Sequence, residues 1–260
     1  MDRSASVSAS KRRRRLLAVT ALISALTVLG GCASSNRGNV GTHSSATQNV
    51  NARPGTSEAR QAVAYWAQAY EKDRKNRRAI LGYSEALSAN EQFPQAKAVL
   101  RSGVIANPRD KEIASAYGKV LAMNGELPEA LSVIKQAQDP QNPDWKLLSA
   151  EGAVLDQMGR HENARQVYQQ ALKIVPDDAS LLNNLGLSYL LSNKLPEAEY
   201  TLRKASALPT ADSRVRQNLA LVLGVQGKFS EAEKVAKAEL DPKQAEANIA
   251  YLKTMLQNRG

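Results

Sequence analysis

Small and large apolar residues alternate along residues 77–242 in a pattern that returns every 34 positions. In one half of each period a small residue (Ser84, Gly118, Gly152, Gly186, Ala220) is followed three positions later by a large one (Leu87, Leu121, Leu155, Tyr189, Leu223). In the other half Ala96, Ala130, Ala164, Ala198 and Ala232 recur, and the first four are followed four positions later by Leu100, Ile134, Tyr168 and Leu202. Offsets of three and four place both members on one helical face. Each period therefore predicts two helices, with small residues allowing an approach of roughly 8–10 Å and large ones filling the core between them. Twelve residues separate the two small sites, which leaves room for a turn between the helices.

The polar positions punctuate the same period. Gly125, Gly159, Asn193 and Gly227 stand at the turn inside each pair, where a left-handed residue ends a helix at least cost; Glu91 breaks that rule. Pro108, Pro140, Pro143, Pro176, Pro209 and Pro242 stop the second helix of each pair. Asn76, Asp110, Asp144, Asp178 and Asp212, again 34 apart, are positioned to cap the next first helix. A 34-residue helix–turn–helix period is that of the tetratricopeptide repeat (TPR), whose units bury a core only by stacking. The expected fold is all-α: a TPR solenoid, a right-handed superhelix of antiparallel helix pairs. Over residues 57–258 it comprises an extra helix at 57–73 with Ala62, Trp66 and Ala69, five pairs at 77–242, and a closing helix at 243–258.

The front of the chain is different material. Lys11 to Arg15 precede an apolar run from Leu16 to Leu29 and then Leu29-Gly30-Gly31-Cys32. The run is shorter than the ~20 residues that span a bilayer, so residues 1–31 read as a secretory signal peptide. The Leu-Gly-Gly-Cys ending resembles the bacterial lipobox. That resemblance implies a diacylglyceryl group on Cys32, a stable multi-chain anchor and, with Ala33 following, delivery to the periplasmic face of the outer membrane of a Gram-negative cell. Cys32 is the only cysteine, so no intramolecular disulfide forms. Residues 32–56, rich in Ser, Asn, Gly and Thr, read as a flexible tether.

Composition then narrows the partner. The chain carries +10, but residues 1–31 hold six basic and one acidic side chain, so cleavage leaves +5 and little reason to expect nucleic acid. The remaining basic run, Lys72, Arg74, Lys75, Arg77 and Arg78, fits a solvated helix end. Catalytic chemistry has no foothold. His43 lies in the tether, and His161 occupies a helix-start site filled elsewhere by Phe93, Leu127, Leu195 and Phe229. No second His or Cys stands at metal-ligand spacing. Gly224-Val225-Gln226-Gly227-Lys228 lacks the spacing and the Ser or Thr of a phosphate loop. Asp177 with Asp178 are capping residues, and Glu197 with Glu199 fall on a solvated face. The expectation is a non-enzymatic protein with no metal, no small-molecule substrate and no cofactor beyond the lipid on Cys32.

First helices of TPRs line the concave side, where partner segments lie. In the last two pairs the sites that are neither core nor cap are Asn183, Asn184, Leu187, Leu190 and Leu191, then Gln217, Asn218, Leu221 and Val225. In earlier pairs they are polar and mixed in charge: Arg78, Glu85, Ser88, Lys119, Met123, Lys146, Ser149, Asp156 and Gln157. The apolar members lack an obvious intrachain partner. They are either a binding surface or covered by Ile249, Tyr251 and Leu252 of the closing helix.

Val215-Arg216-Gln217-Asn218-Leu219-Ala220-Leu221-Val222-Leu223-Gly224, Gly227-Lys228-Phe229-Ser230-Glu231-Ala232-Glu233 and Ala247-Asn248-Ile249-Ala250-Tyr251-Leu252 resemble the TPR lipoprotein of tight adherence (Tad, Flp pilus) systems. The resemblance implies a non-catalytic scaffold that assists assembly or localisation of the secretin or other pilus components. The resemblance to TPR grooves, many of which hold a ligand's backbone amide with an asparagine, implies that role for Asn184 and Asn218. Two alternatives are a regulator or scaffold for cell-wall enzymes, also lipid-anchored and built of TPRs, and a chaperone for outer-membrane proteins.

Overall fold

The computed structural model describes residues 53–257, which are all-helical: twelve helices and no strand among the described residues. The signal peptide, Cys32 and the tether up to residue 52 lie outside the described residues, as does the end of the chain from residue 258. Among the described residues no helix is long and apolar enough to cross a membrane.

Two compact units divide at residue 158. The first holds α1 (Ser57–Lys72), α2 (Arg77–Ala89), α3 (Phe93–Ala106), α4 (Lys111–Met123), α5 (Leu127–Ala137) and α6 (Trp145–Gln157). The second holds α7 (His161–Ile174), α8 (Ala179–Leu191), α9 (Leu195–Ser206), α10 (Ser213–Val225), α11 (Phe229–Lys237) and α12 (Pro242–Gln257). Each is a solenoid of helix pairs in which every helix packs on its neighbours in sequence. Beyond those neighbours, the contacts within each unit among the described residues join alternate helices: α2 with α4 and α4 with α6, then α8 with α10 and α10 with the closing helix α12. Their closer spacing puts the first helices on the inner side of each unit's curve.

The small-residue sites are fully used. Ala96, Ala130, Ala164, Ala198 and Ala232 are all 0% exposed, and Leu100, Ile134, Tyr168 and Leu202 are at most 1% exposed. The packing differs from small against small, because a first-helix glycine receives a large side chain from a neighbouring helix, which for Gly118 and Gly186 is the second helix of the same pair. A Cβ on Gly118 would lie 2.5 Å from Ile134 Cγ1, and one on Gly186 would lie 2.7 Å from Leu202 Cγ. The first unit's cluster joins Ile80, Leu87, Leu100, Ile113, Leu121, Ile134 and Leu147. Trp66 of α1 lies across Gly82 of α2, with ring atoms 2.5 Å from where a Cβ would stand, so the leading helix covers the first pair.

All five predicted caps form. Asn76 accepts from the amide of Ala79, Asp110 from Glu112 and Ile113, Asp144 from Lys146 and Leu147, Asp178 from Leu181, and Asp212 from Val215. Each satisfies a backbone donor that the first turn leaves open. Pro242 opens α12 at its first position, where the missing N–H has no acceptor to lose. The basic run is partly paired: Arg74 reaches Glu71, Arg77 reaches Asp110 and Glu112, and Arg78 lies over the Trp66 ring.

At the turns, Gly125, Gly159, Asn193 and Gly227 all have positive φ, and so does Glu91, at 59°. Glu91 closes its turn as the glycines do: its amide donates to Ser88 O (3.0 Å) and that of Gln92 to Leu87 O (2.8 Å). The repeat imposes this conformation on a residue that disfavours it. Glu91→Gly is therefore expected to raise stability by about 1 kcal/mol, which denaturant unfolding would register as a higher midpoint at unchanged slope.

Candidate partner-binding face

Two first helices, α8 and α10, run side by side on the inner side of the second unit and carry the stripes expected from sequence. Their N-terminal halves present amides, Asn183 and Asn184 on α8 and Gln217 and Asn218 on α10, all half-buried. Their C-terminal halves present Leu187, Leu191, Leu221 and Val225, also half-buried. Asn218 Nδ2 donates to Asn183 Oδ1 at 2.7 Å, joining the two helices across the face, and Gln217 Nε2 donates to Ser213 Oγ at 3.1 Å. The Asn–Asn bond takes one donor hydrogen and one lone pair, so both amides keep capacity to bind a peptide group. Asn183 and Asn184 also border a polar hollow of about 60 Å³ with Ser180 and Arg214.

Leu187, Leu221 and Val225 do have intrachain partners. They pack against the cluster of Leu190, Ala198, Leu202, Leu219, Val222, Leu223 and Ile249, and their outer surfaces remain open. Leu190 leaves the face altogether: at 1% exposed it is core, because it lies on the side of α8 turned toward that cluster. The closing helix does not fold over the leucines of α8. It continues the stack on α10 and α11, with no close approach to α8 among the described residues. Leu252 sits on Gly224, whose added Cβ would lie 2.2 Å from Leu252 Cδ2, and Ala245 packs with Ala220 and Ala236. Ile249 is buried and Tyr251 is exposed.

Two ionic devices that depend on neighbouring repeats hold these helices. Arg165 of α7 is 5% exposed and reaches into α8: Nη1 donates to Ser188 O (3.3 Å) and Ser192 Oγ (2.8 Å), and Nη2 binds the Glu162 carboxylate. Its guanidinium lies 5.2 Å from the Tyr189 ring centroid. Glu199 of α9, read as solvated, is instead enclosed. It accepts from Lys228 Nζ (2.6 Å), Gln226 Nε2 (2.9 Å) and Arg203 Nε (2.9 Å), which ties α9 to the turn between α10 and α11. The Lys228 bond, with those of Gln226 and Arg203, holds the Glu199 carboxyl down at about 2.

In the first unit the corresponding inner sites include Arg78, Glu85, Lys119, Lys146 and exposed Met123. That face is polar and of mixed sign, whereas the α8–α10 face is uncharged along its amide and leucine stripes. Among the described residues no group of three His, Cys, Asp or Glu side chains could hold a metal ion.

Tetratricopeptide-repeat models match residues 57–120 and 152–192. No curated protein matches by sequence. The solved structures show the same fold at low identity. PilW, described as a widely conserved type IV pilus biogenesis factor, superposes with a TM-score of 0.60 at 21% identity, covering 76% of this chain and 91% of its own. The Cut9–Hcn1 assembly of the APC/C gives 0.63 at 14% identity, covering 78% of this chain and 40% of that one. Human IFIT1 bound to a capped RNA oligonucleotide gives 0.60 at 18% identity over 72% of this chain, which spans only 47% of IFIT1.

Proposed function

We propose that this chain is a non-catalytic, lipid-anchored scaffold that helps a Tad/Flp pilus apparatus assemble or localise at the outer membrane. Its α8–α10 face would hold a segment of the secretin or of another pilus component. The observation that carries this reading is the face itself: paired amides suited to a peptide backbone beside a leucine stripe suited to apolar side chains. The Tad-like sequence of residues 215–252 lies on α10 of that face and continues on α11 and α12. The fold likeness to a pilus biogenesis factor that this chain nearly covers agrees with it. The lipobox cysteine, Cys32, would fix the protein to the membrane and the tether would let the solenoid search for its partner.

Deletion of the gene is expected to reduce surface pili and secretin multimers. Normal levels of both in the deletion strain would remove the proposal, and co-purification with cell-wall hydrolases or synthases while pili stay intact would replace it. Cys32→Ser should abolish incorporation of labelled palmitate and leave the melting temperature of the folded units unchanged; a variant that still took up label would overturn the anchor.

A further inference from the structure

A second surface lies on a different side of the α8–α9 pair from the amide and leucine stripes. There the two helices border an open hollow of about 490 Å³. Its floor is Leu182 and Leu185, both buried, with half-buried Tyr189 beside them. From α9 come Glu197, Tyr200, Thr201 and Lys204. Thr201 turns inward, its hydroxyl donating to Glu197 O at 2.7 Å. Tyr200 instead stands 74% exposed at the edge of the hollow. An open, largely apolar hollow with an exposed tyrosine at its rim has the composition of an interface anchor.

The charges along α9 identify the occupant. Glu197, Tyr200 and Lys204 stand at i, i+3 and i+7 and form one exposed line. Glu197 takes part in no ion pair among the described residues, and Lys204 has only a 3.7 Å contact with exposed Asp177. Acid, aromatic and base in that order are self-complementary when reversed. An antiparallel copy of α9, with a two-fold axis between residues 200 and 201, sets residue 197 of each helix against residue 204 of the other. It also brings each Tyr200 beside Thr201 of the second copy, at the mouth of the second copy's hollow.

We propose that a second copy of this chain docks here through an isologous α9–α9 contact. Each Tyr200 fills the other's hollow, and two Glu197–Lys204 pairs flank the axis. The stripe is short, which places the contact among the small, transient interfaces below ~1,200 Å². Covalent trapping is therefore the suitable readout. In cells producing two differently tagged versions of the full chain, a benzophenone amino acid at position 200 is expected to give a product of twice the mass containing both tags. Its cross-linked peptide should map between residues 182 and 204 of the other copy. Glu197→Lys alone and Lys204→Glu alone should each lower the yield at least threefold, and the double exchange should restore it. Absence of the two-tag product, capture of a foreign protein in its place, or a yield indifferent to the single exchanges would each overturn the proposal. All three substituted residues are exposed, so thermal unfolding of the variants should match the parent chain.

Discussion

Ala198→Leu is expected to lower the stability of the second unit by about 1–3 kcal/mol, the usual cost of forcing extra methyl groups into a packed core. Ala198 has no exposed surface and lies in the cluster with Leu190, Leu202, Leu219 and Leu223. The helices it separates have no slack, since Leu202 Cγ already lies 2.7 Å from where a Cβ on Gly186 would stand. Repeat units are stabilised mainly by their neighbours, so the loss should spread to α10 and α11 rather than remain in α9. Thermal unfolding should show a fall of about 2–4 °C per kcal/mol, and amide exchange should quicken on α10 and α11 as well as on α9. Ala250→Leu, on the exposed side of α12, is the control and should change little. An unchanged midpoint for Ala198→Leu would mean that α9 is rotated away from the position described.

Glu199→Lys should cost about as much, on the order of 3 kcal/mol, because it removes a carboxylate from three donors and sets an ammonium against Lys228 and Arg203. The Glu199 side chain is only 13% exposed, so water does little to screen the repulsion. The first unit contains the same bridge with its signs exchanged: Lys97 Nζ binds Glu126 Oε1 at 2.8 Å, across the same interval of 29 residues. The double exchange Glu199→Lys with Lys228→Glu should therefore recover part of the loss. The bridge also predicts an acid dependence. With the Glu199 carboxyl near 2 in the folded chain and 4.5 as its ordinary value, its contribution is complete above about pH 4.5 and fades as pH falls toward 2. Glu239, lowered by its bond to Arg216, adds in the same direction. Stability followed from pH 6 to pH 2 should fall less steeply in Glu199→Gln than in the parent chain. Parallel curves would show that Glu199 is not ion-paired in solution.

Much of the fold was legible because its determinants are local or strictly periodic. A capping aspartate and the amides it accepts from are two or three residues apart, and the buried alanines repeat every 34. Features that depend on a neighbouring repeat were harder to read. Glu199 looks solvated beside Glu197, and its partner Lys228 is 29 residues away; the matching interval between Lys97 and Glu126 was the available signal. Arg165 occupies a helical site that is Lys97, Leu131, Glu199 or Glu233 in other pairs, and Ser188 and Ser192 on the next helix determine that it is buried. Glutamate disfavours positive φ, yet at Glu91 the register of the repeat overrules that preference. Of the inner face, the helices and stripes could be read, but the Asn218–Asn183 bond and the burial of Leu190 depend on the angle at which α8 and α10 meet. The hollow beside Tyr200 is space left between side chains, which no pattern of residue types encodes.

The most direct test of the scaffold reading is photo-crosslinking in living cells from a probe at Leu187, half-buried between the amide stripe and the core of the second unit. The expected result is capture of a secretin or pilus subunit, with the crosslink reduced when Asn184 and Asn218 are replaced by alanine. Crosslinks confined to the chain's own α12, or to a range of unrelated outer-membrane proteins, would contradict it.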